Sequence, residues 1–277
     1  MQIIEFLKVF ILGIVQGITE WLPVSSTGHM ILVNQFLPLA GEKSFVDVFM
    51  VVIQFGSILA VVTLYFHKLN PFSPKKTKKE KADTVSLWLK VLTAVVPAAI
   101  IGVLFEDKID ALFFNAPTVA ATLIIYGILF IIIESRHKKP TITTFEGLSY
   151  KTALLIGVFQ ILALIPGTSR SGSTILGAVL LGTSRYIAAE FSFFLAIPVM
   201  LGASLLKIVK YGLAFSGMQW ALLIFGMVVA YVVSVIAIKF LMKYIKKHDF
   251  KAFGYYRIVL GIIVIAYFMI SGATPIA

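Results

Sequence analysis

Long apolar runs are the feature of this sequence that most limits what it can fold into. Six of them, close to the roughly 20 residues that a helix needs to cross a bilayer, are predicted to span it: 45–66, 87–105, 117–133, 186–206, 219–241 and 255–270. A further run, 3–22, leads directly into a polar stretch and is assigned to a hairpin. Hydrophobic residues make up 59% of the chain and charged residues only 13%, which excludes an ordinary soluble domain. The sequence therefore predicts an all-α polytopic membrane protein with six transmembrane helices.

Two polar stretches interrupt the apolar sequence. The first is Pro-Val-Ser-Ser-Thr-Gly-His at 23–29, and the second is Pro-Gly-Thr-Ser-Arg-Ser-Gly-Ser-Thr at 166–174. Pro23 removes a backbone donor and restricts the residue before it, so the preceding helix is expected to end by Leu22. The apolar runs that follow, Met30–Leu39 and Ile175–Leu181, are too short to cross. Each stretch therefore predicts the tip of a re-entrant helical hairpin.

The two halves of the chain also resemble each other. Several residues around the first polar stretch recur 144 positions later as the same residue, among them Gln16 and Gln160, Ser25 and Ser169, and Gly28 and Gly172. Both halves run in the order hairpin, span, span, span, so we predict one membrane domain, 1–277, made of two repeats, about 1–139 and about 140–277. Because a hairpin adds no crossing and three spans add an odd number, the repeats are expected to have inverted topology.

The positive charge of the chain predicts its orientation. A net charge of +11 would suggest nucleic acid for a soluble protein, but here the basic residues occupy short loops, so no nucleic-acid partner is expected. The positive-inside rule places the loops at Lys75, Lys138 and Lys246 in the cytoplasm, and both termini and the predicted loop 106–110 outside. The chain has no cysteine, which excludes thiolate metal sites and a cysteine nucleophile.

Three ionisable residues, Glu20, His29 and Arg170, lie within or beside apolar segments, where a charge costs on the order of 3 kcal/mol. Each therefore needs a partner or a water-filled cavity. Gln16 and Glu20 are four residues apart, so on a helix they share a face and can offer oxygen ligands to a hard divalent cation, magnesium or calcium. The alternative is a polar helix face that makes an interhelical hydrogen bond.

The polar stretches have the composition of an anion-binding site. Hydroxyls and backbone donors in a turn, together with the planar fork of Arg170, suit phosphate oxygens. His29, close in sequence to a carboxylate and several hydroxyls, can act as a general acid or base or carry a phosphoryl group, although a lone histidine is also a common packing residue. Any single hydroxyl can instead satisfy a broken helix. The predicted substrate-binding residues are Ser25, Thr27, Gly28, Gly167, Ser169, Ser171, Gly172 and Thr174.

Three motifs together resemble the undecaprenyl-diphosphate phosphatase family of bacterial membrane enzymes, which is associated with bacitracin resistance. They are Gln-Gly-Ile-Thr-Glu at 16–20, the stretch 23–29, and Pro-Gly-Thr-Ser-Arg-Ser-Gly at 166–172. The resemblance extends over essentially the whole chain. It implies hydrolysis of undecaprenyl diphosphate, a polyprenyl diphosphate lipid, to the monophosphate carrier used in cell-wall synthesis. It also implies catalytic positions for Glu20, Ser26, His29 and Arg170. Some members carry glutamate in place of Gln16, so this chain has one fewer metal carboxylate.

Two other functions are compatible with the pattern. Inverted repeats with broken helices are a common carrier architecture, so a lipid-phosphate transporter or flippase is the main alternative. Binding alone does not require the pair Glu20 and His29, whereas catalysis does. A purely structural scaffold would not explain Arg170. The expected location is the bacterial cell membrane with an active site opening to the outer face. A homodimer, the exact metal, and attack on phosphorus by serine, histidine or water all stay open.

Overall fold

The computed structural model of the chain describes residues 2–136, 138–211 and 215–271. Within these ranges the chain is helical, apart from loops and one isolated bridge between Ile142 and Thr183. A 3-10 turn at Leu162–Leu164 extends the seventh helix. The α-helices are α1 Gln2–Thr19, α2 Ser26–Phe36, α3 Lys43–Leu64, α4 Phe66–Leu69, α5 Lys78–Phe113, α6 Ala116–Ser135, α7 Tyr150–Ile161, α8 Arg170–Leu180, α9 Arg185–Tyr211, α10 Gly217–Tyr244 and α11 Lys251–Ser271.

Seven of the described helices are long and apolar enough to cross a membrane: α1, α3, α5, α6, α9, α10 and α11. Six of them coincide with the predicted spans, so the prediction of an all-α polytopic membrane protein is confirmed. The seventh, α1, has 18 residues and was predicted to be one arm of a hairpin. Helices α2 and α8 have 11 residues each, too few to cross. The number of crossings stays a prediction.

Helix α5 differs from its prediction at both ends. The sequence predicts a span over 87–105 between loops at 67–86 and 106–110, but α5 has 36 residues and ends at Phe113. The loop prediction for 106–110 was therefore wrong, and that for 67–86 was partly wrong. Thr77 and Glu80 form a capping box that begins α5 nine residues before Leu87. After 105 the helix continues because its acidic and basic residues tolerate helical backbone outside an apolar run.

The helices of the two halves pack against each other in a reciprocal arrangement. Helix α1 packs on α10, and α7, its counterpart in the second half, packs on α5; α3 packs on α9 and α6 packs on α11. The first arm of each predicted hairpin thus lies against the second span of the other half. Glycines permit this approach: Gly13 of α1 faces Val229, and Gly157 of α7 faces Ala94.

We expect Gly157→Ala to destabilise the protein, because a Cβ at this position would lie 2.2 Å from the carbonyl oxygen of Ala94. Overpacking of this kind costs about 1–3 kcal/mol. The matched control is Gly202→Ala, also within a helix, where a Cβ meets nothing within 4 Å. The apparent Tm of the purified protein in detergent should fall for Gly157→Ala only. Equal Tm values would contradict the close contact of α7 with α5.

Candidate active site

Each polar stretch contains the N-terminus of a short helix, α2 or α8. The residues before these two helices share an unusual backbone conformation. Ser25 caps α2 and Ser169 caps α8, with φ of 74° and 75°. Each serine Oγ accepts a hydrogen bond from the N–H three residues on, that of Gly28 at 3.2 Å and that of Gly172 at 3.1 Å. Left-handed backbone is unfavourable for a residue with a Cβ, and such strain is concentrated at functional sites. The two paired positions of the sequence repeat therefore have the same strained cap.

Glu20 connects the two stretches. It lies in the turn after α1 and is 3% exposed. Its Oε2 accepts hydrogen bonds from Ser26 Oγ and from Gln16 Nε2, both at 2.9 Å. Its Oε1 accepts one from Arg170 Nη2 at 3.1 Å. The fold thus brings a carboxylate, a hydroxyl and a guanidinium into direct contact, although Arg170 lies 150 residues after Glu20.

Arg170 is held from several sides. It is the first residue of α8, and its Nη1 donates to Ser192 O at 2.7 Å. Thr174, one helical turn further on, is fully buried and makes a 2.7 Å hydrogen bond with Ser192 Oγ. The guanidinium also lies 5.7 Å from the ring centroid of Trp21. Thr174 therefore contacts Ser192 and the main chain of Arg170, and it makes no hydrogen bond to the carboxylate of Glu20.

Ser171 joins the second stretch to the main chain of the first. Its hydroxyl is within hydrogen-bond distance of the carbonyl oxygens of Glu20, at 3.2 Å, and Leu22, at 3.3 Å. It also lies 3.2 Å from Ser169 Oγ. Together with the pair of Glu20 and Arg170, these contacts bring the N-termini of α2 and α8 to one site. Both are the positive ends of helix dipoles, and both therefore favour an anion.

Arg257 on α11 is a residue of this site that sequence reasoning missed. It is fully buried, its Nη1 donates to Pro23 O at 3.2 Å, and its Nη2 donates to Gly167 O and Thr168 O at 2.9 Å. Its partners are carbonyls from both polar stretches, so it ties the two tips together. The available signal was a lone arginine at the start of an apolar run, which resembles an ordinary interfacial residue.

His29 lies on α2 but does not hydrogen-bond to Glu20. Its Nδ1 lies 2.7 Å from Ser25 O, which requires this nitrogen to donate. Nε2 then accepts from the hydroxyl of Tyr256 on α11, at 2.6 Å. Tyr256 is adjacent in sequence to Arg257 and was not predicted. In this arrangement the histidine supports the strained cap through its Nδ1–H.

The remaining predicted binding residues occupy different positions around the tips. Thr27 is exposed. The N–H groups of Gly28 and Gly172 bond to the capping serines and are not free for a ligand. Gly167 has φ of 84°, and a Cβ there would lie 2.2 Å from Thr122 Oγ1. Gly167 therefore allows a tight turn that packs closely against Thr122 of α6.

Unpaired polar groups are concentrated around the two tips. As is usual in the first turn of a helix, the N–H groups of Ser26 and Thr27 and those of Arg170 and Ser171 have no backbone acceptor within the described residues. Buried polar atoms are nearly always hydrogen-bonded in native proteins, so a cluster of exceptions indicates a place for ligand or water. In the described part of the chain, buried side-chain atoms near the tips without a partner are Gln16 Oε1, Trp21 Nε1, Thr168 Oγ1, Arg170 Nε and Arg257 Nε.

Gln16 and Glu20 can supply only a small part of the ligands of a divalent cation. No group of three or more His, Asp and Glu residues that could hold a metal occurs among the residues that the structure describes. However, Gln16 Oε1 is buried and unpartnered, and the Nε2 of the same amide donates to Glu20 Oε2. Magnesium is commonly held by one or two protein oxygens, with substrate phosphates and water supplying the rest. The donor set is compatible with that arrangement.

Comparison with known proteins gives the chain a family. The family model described as "Bacitracin resistance protein BacA" matches residues 9–263, which include both polar stretches. The chain belongs to this family. With its seven apolar helices, membership of the BacA family makes it a multi-pass bacterial membrane protein.

Curated relatives match over nearly the full length. The chain is 65% identical to "Undecaprenyl-diphosphatase 1" of Clostridioides difficile, over 97% of this chain and 98% of the relative. It is 63% identical to "Undecaprenyl-diphosphatase" of Acetivibrio thermocellus, over 96% and 98%. It is 60% identical to the protein of the same name from Enterococcus faecalis, over 95% and 98%.

Proposed function

We propose that this BacA-family chain is an integral-membrane phosphatase that hydrolyses undecaprenyl diphosphate to undecaprenyl phosphate and inorganic phosphate, and so recycles the lipid carrier of cell-wall synthesis. The observation that carries the proposal is the contact of Glu20 with both Ser26 and Arg170, which unites a base, a hydroxyl and a phosphate-binding cation. The names of relatives at 60–65% identity agree with this chemistry.

The arrangement supplies charge where the diphosphate needs it. The free N–H groups at the starts of α2 and α8 and the unpartnered Nε–H of Arg170 can bind phosphate oxygens. Ser25, Ser169 and Ser171 hold these helix ends in place, and Arg257 keeps the tips together. These donors would thereby stabilise the charge that develops on the leaving phosphate.

Ser26 is our proposed nucleophile, because its hydroxyl already donates to Glu20. Its oxygen bonds to the terminal phosphorus while its proton passes to Glu20. The bond from that phosphorus to the bridging oxygen breaks, and undecaprenyl phosphate leaves. Water then releases inorganic phosphate from the serine. Direct attack by a water that Ser26 orients gives the same products, and acid-quench trapping of a phosphoserine distinguishes the two.

A divalent cation, magnesium or calcium, belongs to the same proposal. Gln16 and Glu20 are the residues that would hold it through their side-chain oxygens. When bound, it would neutralise phosphate charge and withdraw electrons from phosphorus. His29 has a separate role, which is to hold the carbonyl of Ser25, and thus the cap of α2, through its donated hydrogen bond.

The direct test is phosphate release by the purified protein from undecaprenyl diphosphate, with and without EDTA. We expect release that requires Ser26 and returns when magnesium or calcium is restored. The rival function, a lipid-phosphate flippase, predicts movement of the lipid between leaflets without phosphate release. Absence of release under all cation conditions, with the lipid shown to bind, would therefore refute the phosphatase and favour the carrier.

The proposed membrane arrangement has six crossings, two re-entrant hairpins and two inverted repeats. Support comes from the paired caps at Ser25 and Ser169 and from the reciprocal packing of α1 on α10 and α7 on α5. Since α7 has only 12 residues, its counterpart α1 is best assigned to a hairpin as well. The site is proposed to open to the outer face. A homodimer remains a prediction, and residues 272–277, which include the C-terminus, lie outside the described ranges.

Cysteine labelling tests this topology in a chain that has no cysteine of its own. Positions 78 and 108 lie on the same helix, α5, about 45 Å apart at 1.5 Å per residue. In intact cells we expect an impermeant thiol reagent to label Lys108→Cys and not Lys78→Cys, because the basic loop before α5 faces the cytoplasm. Permeabilised cells, where both should react, are the control. Labelling of only position 78 in intact cells would reverse the orientation.

A further inference from the structure

A cavity lies away from the two polar stretches, where the C-terminal ends of α6 and α10 meet the start of α9. Its volume is about 320 Å³. The lining includes four basic side chains and one acidic one: Arg136, Lys138, Lys139, Arg185 and Glu134. None of the catalytic residues proposed above contributes to it, so it is separate from the candidate active site.

The acidic residue of this cavity is already neutralised. Glu134 is buried and accepts hydrogen bonds from Arg185 Nε at 3.0 Å and Nη2 at 2.5 Å. Its Oε1 also accepts from the N–H of Phe250 at 3.3 Å. By contrast, Arg136, Lys138 and Lys139 form no ion pair with any residue that the structure describes. The cavity therefore has an excess of unpaired positive charge.

The start of α9 adds free backbone donors to the cavity. The N–H groups of Arg185 and Tyr186, at the start of the 27-residue helix α9, have no backbone acceptor in the described ranges. The carbonyls at the end of α8 are satisfied by the turn that follows, including Ala178 O, which accepts from the N–H of Thr183. These donors give the cavity the character of an anion site.

Thr183 provides an independent indication of a ligand. It lines the cavity and is 3% exposed, and its Oγ1 is buried without a partner in the described part of the chain. It follows Gly182, whose φ of 95° allows the turn. A buried hydroxyl without a partner costs free energy unless a ligand or water satisfies it.

We propose that this cavity is a second binding site for a phosphate group, carried by an anionic membrane lipid. Phosphate oxygens match the unpaired cations, the free N–H groups of α9 and the hydroxyl of Thr183. The cavity lies at the ends of membrane-crossing helices, where a lipid headgroup is at hand, and basic pockets between such helices bind phosphorylated headgroups. Inorganic phosphate offers the same chemistry from solution, so the test separates the two sources.

The test measures retention of phosphatidylglycerol by the purified full-length protein, with phosphatidylcholine and inorganic phosphate as comparison ligands. We expect saturable retention of phosphatidylglycerol. The affinity for phosphatidylglycerol should fall about 25-fold in Lys138→Gln/Lys139→Gln, because each basic side chain raises the affinity about fivefold. The matched control is Lys246→Gln/Lys247→Gln, which removes the same charge from exposed residues after α10 that do not line the cavity.

Thr183→Val is the second variant, since it keeps the shape and the net charge but removes the hydroxyl. We expect it to weaken retention several-fold while phosphate release from undecaprenyl diphosphate stays unchanged, which shows that the protein is folded. Binding of inorganic phosphate alone, lost in the same variants, would support the site with a soluble source. Equal loss in the cavity and control pairs, or unchanged retention in Thr183→Val, would reduce the effect to general charge attraction and overturn the proposal.

Discussion

Arg170→Ala is expected to lower kcat for undecaprenyl diphosphate by about a thousandfold, near the upper end of the loss on removing one transition-state hydrogen-bond donor. Arg170 meets Glu20 directly and begins α8, so its loss removes charge from the point where both helix ends converge. The matched control is Lys79→Ala, the loss of an exposed basic side chain at the start of α5 that lines neither of the two proposed sites. Phosphate release by the purified variants measures the effect.

The same substitution is also expected to destabilise the fold, because it leaves Glu20 buried without its cation. Breaking one partner of a buried pair typically costs about 3–5 kcal/mol. The contacts of Arg170 with Glu20 and Ser192 are the reason, since they are lost together with the guanidinium. Arg170→Gln/Glu20→Gln, which removes both charges, should regain thermal stability but not activity. Activity near the unmodified level in any Arg170 variant would refute the phosphate role.

Glu20→Gln is expected to reduce kcat by about a hundredfold to ten-thousandfold, the range of a general base. The glutamine amide has nearly the volume of the carboxylate but cannot take the proton of Ser26. In the unmodified protein, Ser26 Oγ donates a hydrogen bond to Glu20 Oε2 at 2.9 Å. Gln16→Ala should cost only about tenfold, because Gln16 orients Glu20 through one hydrogen bond and carries no charge. Both are measured by phosphate release across a magnesium titration.

The cation dependence separates two readings of this pair. If Gln16 and Glu20 are joint ligands, both variants should require much more magnesium for half-maximal activity and lose activity to similar extents. If Glu20 is chiefly the base, Glu20→Gln should lose far more activity than Gln16→Ala at saturating magnesium. The control for losses of activity during purification is Ser44→Ala, which removes an exposed hydroxyl outside both polar stretches. Full activity of Glu20→Gln would exclude both roles.

Much of the fold was predictable because crossing a membrane restricts a chain so strongly. The apolar runs over 45–66 and 219–241 correspond to α3 and α10, since only helices satisfy their own backbone groups in hydrocarbon. The ends of α5 were not predictable from hydropathy, because a capping box at Thr77 and helix-compatible charges after 105 extend it beyond the apolar run. Hydropathy detects the lipid-facing part of a helix and not its termini.

The sequence by itself determined the membrane class and the two polar stretches that interrupt the helices, because Pro23 and the nearby glycines disfavour a continuous helix there. It also indicated Glu20, Ser26 and Arg170 as candidate catalytic residues. Only the tertiary structure decided that Glu20 bonds to Ser26 and Arg170 together, and that Arg257 joins both tips from α11. These contacts bridge 150 and 234 residues, and such distant pairings depend on how whole helices pack, which local residue patterns do not encode.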